Sequence, residues 1–361
     1  MGTGTRGLVG IAVASAVVAG AVVSAAAVSA EARPGGVLAA AQGDCPQARA
    51  KVERLEGRIT PNACAFMLRQ IAFGEMPTGT PPAPGETGHP RVRAYLDIFD
   101  ADATLWEAGS APERGHTVIG PSIIGSLRIA PSLTYRGTDV VADGSTVMFG
   151  QWNEISFKGH TVAYPQIARN VLGDDGRTIQ ARRYYDRAVL FRDTLPEDAP
   201  APLFAGIADV GAPEHPEHAA PARFRVTEVP GRLAAWNAHD VDALLARGRG
   251  ARLSGPGLDA PLTTEAGKRA YLERLLTTAR PRLEAGQVAF GTTTTYVEWH
   301  GTATRTVDDG TGTGTRAVEI PFGIVERFGP GGEWELYFDT LPLVADQKRI
   351  GSLFQKLAAA A

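Results

Sequence analysis

The sequence has little of what marks several large classes of protein. Its 361 residues include only two cysteines, and its 36 basic and 39 acidic residues leave a formal net charge of −3. A nucleic-acid-binding protein normally carries a strong basic excess, so that class is excluded. The apolar content of 44% is ordinary for a globular protein and argues against intrinsic disorder. After residue 30 there is no further apolar run of about 18 residues, which excludes a second membrane span.

Motifs of common enzyme classes are also missing. The chain has no Gly-x-Ser-x-Gly elbow, no His-Glu-x-x-His zinc motif and no Gly-x-x-x-x-Gly-Lys phosphate loop. GlyThrGlyThrGly at 310–314 falls in an expected hairpin and not between a strand and a helix. His215 and His218 lie in a proline-rich connector, which is a poor scaffold for a metal ion. We therefore expect no cofactor and no metal.

The amino terminus has the pattern of a secretory signal. Residues 8–28 are an unbroken run of small and apolar side chains, preceded by a single charge at Arg6 and followed by small residues around Ala30 and Ala32. We expect residues 1–32 to be removed and the mature protein to be secreted. The alternative is a membrane anchor over 8–28, because about 20 apolar residues can span a bilayer. Arginine outnumbers lysine 31 to 5, a bias common in GC-rich bacteria.

Cys45 and Cys64 predict one disulfide in an oxidising compartment. It would close a loop of about 20 residues and contribute about 3 kcal/mol in the chain-entropy model. Good helix formers at 48–56 end at Gly57, and a second helical stretch follows from Pro61. Residues 33–76 are thus expected to be a helical hairpin joined by the disulfide.

Two proline-rich linkers, 77–90 and 195–222, divide the rest of the chain. They separate a first segment, 91–194, from a second, 223–345, and a tail follows at 346–361. Each segment begins with short helices, among them one for which Asp240 is the expected N-cap. Each then continues into long β-type stretches, which we place at 133–142, 145–158, 161–172 and 177–190, and at 286–306, 315–328 and 333–344.

The two segments also match each other in sequence. The matches are Trp152 with Trp299, Pro165 with Pro321, and Tyr184-Tyr185-Asp186 with Tyr337-Phe338-Asp339. Three matches in the same order predict an internal duplication.

Several stretches carry a family resemblance. AspAlaAspAlaThrLeuTrpGluAlaGly at 100–109, GRTIQARRYYD at 176–186, RLAAWNAHDVDALL at 232–245 and WELYFD at 334–339 resemble the SnoaL-like branch of the nuclear transport factor 2-like superfamily. The resemblance covers about 90–192 and 223–344. It implies an α+β fold of two cone-like curved antiparallel sheets, with helices packed on the concave face around an apolar pocket. The family includes isomerases, epoxide hydrolases, polyketide cyclases and proteins that only bind ligands, so it implies a pocket and not a reaction.

The resemblance also implies site residues. In several enzymatic relatives an aspartate ending the last strand acts as acid or base, and the matching positions are Asp186 and Asp339. Burial in a pocket would raise the pKa of such a carboxyl group and suit it to proton transfer. Strand alternation puts Trp334, Leu336 and Phe338 on the opposite face from Asp339. Either those three are covered by another repeat or chain, or they form the core and Asp339 is solvated.

Ligand contacts are expected from polar and aromatic side chains on the same strands. The candidates are Trp106, Trp152, Glu154, Tyr164, Gln166 and Tyr184 in the first segment, and Trp299, Glu319 and Phe322 in the second. The Arg-x-Asp pair of the epoxide hydrolases is missing near 161–166, and Arg316 and Glu319 have the wrong spacing for it.

Three functional hypotheses follow. The leading one is a secreted tandem protein whose repeats form an intramolecular pseudo-dimer, or a homodimer, and bind a small apolar molecule. The second is an acid–base enzyme of the isomerase, cyclase or epoxide hydrolase type that uses Asp186. The third is a protein–protein interaction module whose two cones are filled by side chains.

Overall fold

The computed structural model describes residues 43–107, 110–157, 159–209, 224–308 and 315–360. The signal-peptide and membrane-anchor predictions, the segment 310–314 and the two connector histidines lie outside these residues. Across the described ranges, the helices are too short or too polar for any of them to traverse a bilayer.

The fold is a mixed α+β fold, as predicted, with two sheets in the described part of the chain. In unit 1 (residues 43–194) the sheet order is β1-β4-β5-β6-β7-β2-β3, and in unit 2 (residues 224–345) it is β8-β12-β11-β10-β9. The strands are β1 Val52–Arg58, β2 Phe99–Glu107, β3 Glu113–Arg114, β4 Thr134–Asp143, β5 Thr146–Phe157, β6 His160–Leu172, β7 Thr178–Tyr184, β8 Arg252–Ser254, β9 Arg282–Phe290, β10 Thr295–Asp308, β11 Thr315–Gly329 and β12 Glu333–Tyr337. The α-helices are α1 Pro46–Arg49, α2 Pro61–Gly74, α3 Pro90–Asp97, α4 His116–Ile129, α5 Val189–Arg192, α6 Val229–Ala238, α7 Val241–Arg247, α8 Glu265–Ala279, α9 Leu341–Val344 and α10 Gln347–Ala360.

Both sheets are mixed, so the expectation of purely antiparallel sheets is wrong. β2 pairs with β7, β1 with β4 and β8 with β12 in parallel, while the hairpin-linked strands are antiparallel. Parallel pairing needs a long crossover, and the helices and strands between these partners supply one. The order β4-β5-β6-β7-β2 in unit 1 matches the order β9-β10-β11-β12-β8 in unit 2.

Most of the helix expected between the two cysteines is instead a strand, because only α1 (Pro46–Arg49) is helical before β1 begins at Val52. β1 pairs in parallel with β4, from Val52 opposite Gly137 to Arg58 opposite Asp143. Pairing with a sheet edge supplies long-range hydrogen bonds that outweigh the modest helix propensity of the segment. The second half of the prediction holds, since α2 begins at the Thr60 N-cap, whose side chain accepts a hydrogen bond from the backbone N–H of Ala63.

Other predicted elements differ at their ends. The stretch 286–306 is two strands, because Gly291 N–H donates to the Thr294 carbonyl in a tight turn (2.7 Å). The strands predicted to reach 190 and 344 end at Tyr184 and Tyr337, where the chain turns into α5 and α9. The Asp240 cap is confirmed, because its Oδ1 accepts a hydrogen bond from Ala243 N–H (3.0 Å).

Large aromatic side chains fill the core of unit 2. Trp236, Trp299 and Trp334 are fully buried there. They surround an ion pair between Arg232 and Glu326 (2.6 Å), and Glu326 also accepts hydrogen bonds from the Trp299 and Trp334 indoles. Trp334 therefore belongs to the core of its own unit and is not covered by the other repeat.

The two sheets pack against each other through the faces opposite their helices. An apolar cluster spans this interface. It comprises Trp106, Val141, Met148, Ile167 and Tyr184 from unit 1, and Ala289, Tyr296 and Val325 from unit 2. At its centre the Arg169 guanidinium pairs with Glu298 (2.9 Å), both 1% exposed. Glu298 also accepts a hydrogen bond from the Tyr184 hydroxyl (2.6 Å).

The carboxyl-terminal helix α10 follows unit 2 but packs on unit 1. Its apolar side chains, represented by Leu353 and Leu357, join one buried cluster with Ile155 and Val162 of unit 1. The Phe354 ring makes an edge contact with Phe191 of α5, with centroids 5.0 Å apart. The end of the chain thus closes one end of the first sheet's helix-covered face.

Candidate functional site

A cavity of about 640 Å³ lies between the two units, and we call it the interunit cleft. Unit 1 contributes the outward face of its sheet, where Thr138, Trp152 and Pro165 line the wall. Unit 2 contributes Tyr337 and the loop 254–261. Four of the candidate residues from the sequence line this cavity, namely Trp152, Tyr164, Gln166 and Asp186.

Trp152 and Pro165 lie directly opposite each other on neighbouring strands of the first sheet. Asp186 lies two residues beyond the end of β7, the strand that pairs with β6, and it lines the same cleft as Trp152 and Pro165. Trp152 is 38% exposed, which leaves its indole open to the cleft.

Asp186 has one oxygen fixed by the protein and one free. Its Oδ1 accepts hydrogen bonds from Ala188 N–H (3.1 Å), Thr340 N–H (3.0 Å) and the Thr340 hydroxyl (2.7 Å). No described residue donates to Oδ2. Burial, followed by the negative charge of Asp339, raises the pKa of Asp186 to about 6. A carboxyl group with such a pKa exchanges its proton near neutral pH.

Asp339 occupies the mirror position at the same junction. Its Oδ1 accepts from Arg187 N–H (3.0 Å) and Leu341 N–H (3.1 Å), and its Oδ2 accepts from Arg187 Nε (2.6 Å). Burial raises its pKa even though the Arg187 guanidinium opposes that change. Asp339 is 2% exposed although Trp334, Leu336 and Phe338 form the core of unit 2, so neither of the two alternative arrangements expected for this strand is found. It is held in an ion pair and lies outside the described lining of the cleft.

Two tyrosines connect the cleft to the interior of unit 1. The rings of Tyr164 and Tyr185 stack with centroids 5.5 Å apart. The Tyr185 hydroxyl donates to Glu107 Oε2 (3.1 Å), and Glu107 Oε1 accepts from the Arg183 guanidinium (3.1 Å). Burial raises the pKa of Tyr164 and of Tyr185, so both stay neutral hydrogen-bond donors.

A row of amides continues this polar interior. Gln70 donates to Gln151 (3.3 Å), Gln151 to Asn153 (2.7 Å) and Asn153 to Gln166 (3.4 Å). The Gln166 amide oxygen is thus occupied by the protein itself. This amide row makes one part of the interior of unit 1 polar, whereas aromatic side chains pack in the core of unit 2.

One end of the cleft is charged. The Arg327 guanidinium, 5% exposed, pairs with Asp139 of unit 1 and with Glu333 (2.8 Å) and Glu335 (3.0 Å) of its own unit. Glu107, Arg183 and Arg327 were all missed by sequence reasoning. Alternation along β7 could have placed Arg183 and Tyr185 on one face, but the position of Arg327 depends on how the units pack.

The remaining candidates lie elsewhere. Trp106 and Tyr184 are buried between the sheets with ring centroids 5.5 Å apart. Phe322 and Trp299 belong to the core of unit 2. Glu154 and Glu319 are exposed on β5 and β11, beyond the cleft's described lining.

The register of the strands also corrects one of the sequence matches. Trp152 pairs with Pro165, but Pro321 pairs with Thr302 and not with Trp299. The matched tryptophans therefore have different positions in the two sheets, which is why one is exposed and the other buried.

Comparisons with known proteins give likenesses of fold only. No family model and no curated protein matches the chain. The crystal structure of TerC with polyporic acid is 13% identical, with 37% of this chain and 97% of that chain covered and a TM-score of 0.30. A putative SnoaL-like polyketide cyclase from Jannaschia sp. CCS1 is 12% identical, with 37% and 94% covered and a TM-score of 0.31. A hypothetical protein with a ketosteroid isomerase-like fold from Catenulispora acidiphila DSM 44928, in complex with trimethylamine, is 18% identical, with 34% and 88% covered and a TM-score of 0.28. At these TM-scores the likenesses carry no argument about function.

Proposed function

We propose that the chain is a secreted tandem SnoaL-like protein that binds a small molecule in the interunit cleft. The observation that carries this proposal is the cavity itself, with an exposed indole, two stacked tyrosines and a carboxylate among its walls. The aromatic packing of unit 2 argues against a ligand inside that unit. The expected binding site therefore moves from the interior of a cone to the junction of the two units.

The tandem, pseudo-dimeric arrangement is part of the proposal. Two features support it: the matching strand order of the two sheets and the reciprocal contacts at the junction. Asp186 accepts a hydrogen bond from the backbone N–H of Thr340, and Asp339 accepts one from the backbone N–H of Arg187. Such an exchange of contacts is typical of an isologous two-fold interface. Secretion is supported by the Cys45–Cys64 disulfide, because such bonds persist in oxidising compartments.

Acid–base catalysis at Asp186 is the second candidate function. It is favoured by the free Oδ2 of this residue and by a pKa of about 6. The reaction would be a proton transfer, as in an isomerisation or a cyclisation. If Asp186→Asn left turnover of a bound substrate unchanged, Asp186 would be removed from the mechanism.

Filling the cleft tests the binding function. Ala163 lines the cavity, whereas Thr161 is exposed two residues earlier on the same strand and does not contribute to the described wall. We expect ligand-observed NMR with a fragment library to give hits that disappear in Ala163→Trp and persist in Thr161→Trp. Hits that survive equally in both variants would place the binding site elsewhere.

A further inference from the structure

We infer that the ligand of the interunit cleft is a small organic cation, held between the Trp152 indole and the Asp186 carboxylate. This inference rests on the proposed binding function and adds the chemical class of the ligand.

The charges that line the cleft favour a cation. Six carboxylates and four guanidiniums are among the described lining residues. Each guanidinium already has a carboxylate partner: Arg54 pairs with Asp139, Arg136 with Glu53, Arg192 with Asp193, and Arg327 with three acidic groups. Asp186, in contrast, forms no ion pair with any described cation, and its bonding partners are backbone amides and a hydroxyl.

The two groups that would hold the cation line the same cleft. Trp152 lies opposite Pro165 on the first sheet, and Asp186 lies two residues beyond the end of β7. An ammonium group within about 6 Å of the exposed indole ring would make a cation–π contact. The unpaired Asp186 carboxylate would supply the counter-charge, and Pro165 offers an apolar surface without a competing N–H donor.

Other ligand classes fit less well. An anion would meet the unpaired Asp186 carboxylate and find each lining guanidinium already paired. A neutral apolar molecule could pack on Trp152, but it would leave that carboxylate without a partner in a partly buried site.

The test compares two probes of nearly the same shape on the full chain by isothermal titration calorimetry. Choline carries a trimethylammonium group, and 3,3-dimethylbutan-1-ol carries a neutral tert-butyl group in its place. We expect choline to bind at least tenfold more tightly than the alcohol at pH 7.5. Trp152→Ala should weaken choline binding at least fivefold, and Asp186→Asn should remove the preference for choline over the alcohol. Glu154→Gln, which removes an exposed charge from the same strand outside the cleft, should change neither affinity.

The outcomes separate the inference from the proposed function. If the alcohol binds as tightly as choline and both depend on Trp152, the cleft is a binding site but the ligand is not a cation. If choline does not bind, or binds independently of Trp152, the cation inference is overturned, and the Ala163→Trp experiment still decides whether the cleft binds ligands. Thermal unfolding of each variant checks that a lost affinity is not a lost fold.

Discussion

Glu298 is the residue at which the two units depend most on each other. It lies on β10 of unit 2, yet it accepts hydrogen bonds from Arg169 and Tyr184 of unit 1 and from Gln287 N–H of its own unit (2.9 Å). Burial would raise the pKa of Glu298, but the Arg169 and Arg182 guanidiniums and these hydrogen bonds lower it to about 2. The carboxylate stays ionised because its charge is fully compensated.

Removing the charge of Glu298 should therefore weaken the fold strongly. In Glu298→Gln the Arg169 guanidinium, 1% exposed, would lose the carboxylate that neutralises it, and breaking a buried ion pair in this way costs about 3–5 kcal/mol. We expect a decrease of at least 3 kcal/mol in the free energy of unfolding measured in urea. Glu319→Gln, at an exposed position of unit 2, should change it by less than about 0.5 kcal/mol. Equal effects in the two variants would contradict this role.

Asp186 should have the opposite effect on stability, and in a pH-dependent way. Its folded pKa of about 6 lies above the ordinary value of 3.8, so between these values the folded state binds a proton that the unfolded state does not. Stability due to this group is therefore present below pH 3.8 and is lost as the pH rises through 6. We expect Asp186→Asn to be more stable than the natural chain by about 3 kcal/mol at pH 8, with the difference becoming small near pH 4. A pH-independent difference would show that ionisation of Asp186 is not the cause.

The type of a residue identifies it as a candidate for the binding site, but it does not show which face of the sheet its side chain lies on. Aromatic and polar residues on or next to the long strands can be listed from the sequence, and four of them line the cleft. Trp152 and Trp299 look equivalent in sequence, but one is exposed and the other is in the core of unit 2. A shift of one residue along a strand exchanges its two faces, and short sequence matches between two segments do not fix that register.

At the scale of elements, helices and caps that depend on neighbouring residues can be predicted from the sequence. Strand pairing between distant segments cannot. The Asp240 cap and α2 depend on neighbouring residues and could be read directly. β1 depends on an edge that comes some 80 residues later, and Gly57 (φ +90°) marks the close approach. A Cβ at that position would collide with the Ala142 carbonyl of β4.

The disulfide joins the residue before α1 to α2, so β1 lies within the loop that the bond closes. Cys45 and Cys64 are joined, with Cα atoms 5.6 Å apart and a sequence separation of 19, which confirms the predicted pairing. Replacing both with alanine should lower the free energy of unfolding by about 2–4 kcal/mol, because the loop closure no longer restricts the unfolded chain. Thermal unfolding measures the change. Added reductant should lower the melting temperature of the natural chain and leave the double variant unaffected, and the reverse result would contradict a structural role for the bond.

At the scale of the whole molecule, the first unit is completed by the last helix. α10 covers Ile155 and Val162 of unit 1, so unit 1 cannot reach its final packing until α10, which follows unit 2, has been synthesised. No local pattern in the sequence indicates this, because an amphipathic helix shows that it has a partner but not which one.

Deleting residues 347–361 tests this dependence. Hydrogen exchange should become faster in β5 and β6 of unit 1, whose apolar side chains lose their cover, and stay unchanged in β9 and β10 of unit 2. Lys356→Ala, which removes only the surface ion pair with Asp198, should leave both regions protected. Faster exchange confined to unit 2 would contradict the packing of α10 on unit 1.

Asp186 and Asp339 have similar positions where the two units meet, but their partners differ in charge. In a homodimer with a two-fold axis, the residue after each aspartate would be the same in both halves, so both carboxylates would face an arginine or both a threonine. Here the two units lie in one polypeptide, and Arg187 faces Asp339 while Thr340 faces Asp186. One carboxylate is neutralised and the other remains unpaired beside a cavity. In the proposed pseudo-dimer, the covalent link between the units would thus let the two carboxylates differ in charge while the contacts that surround them stay reciprocal.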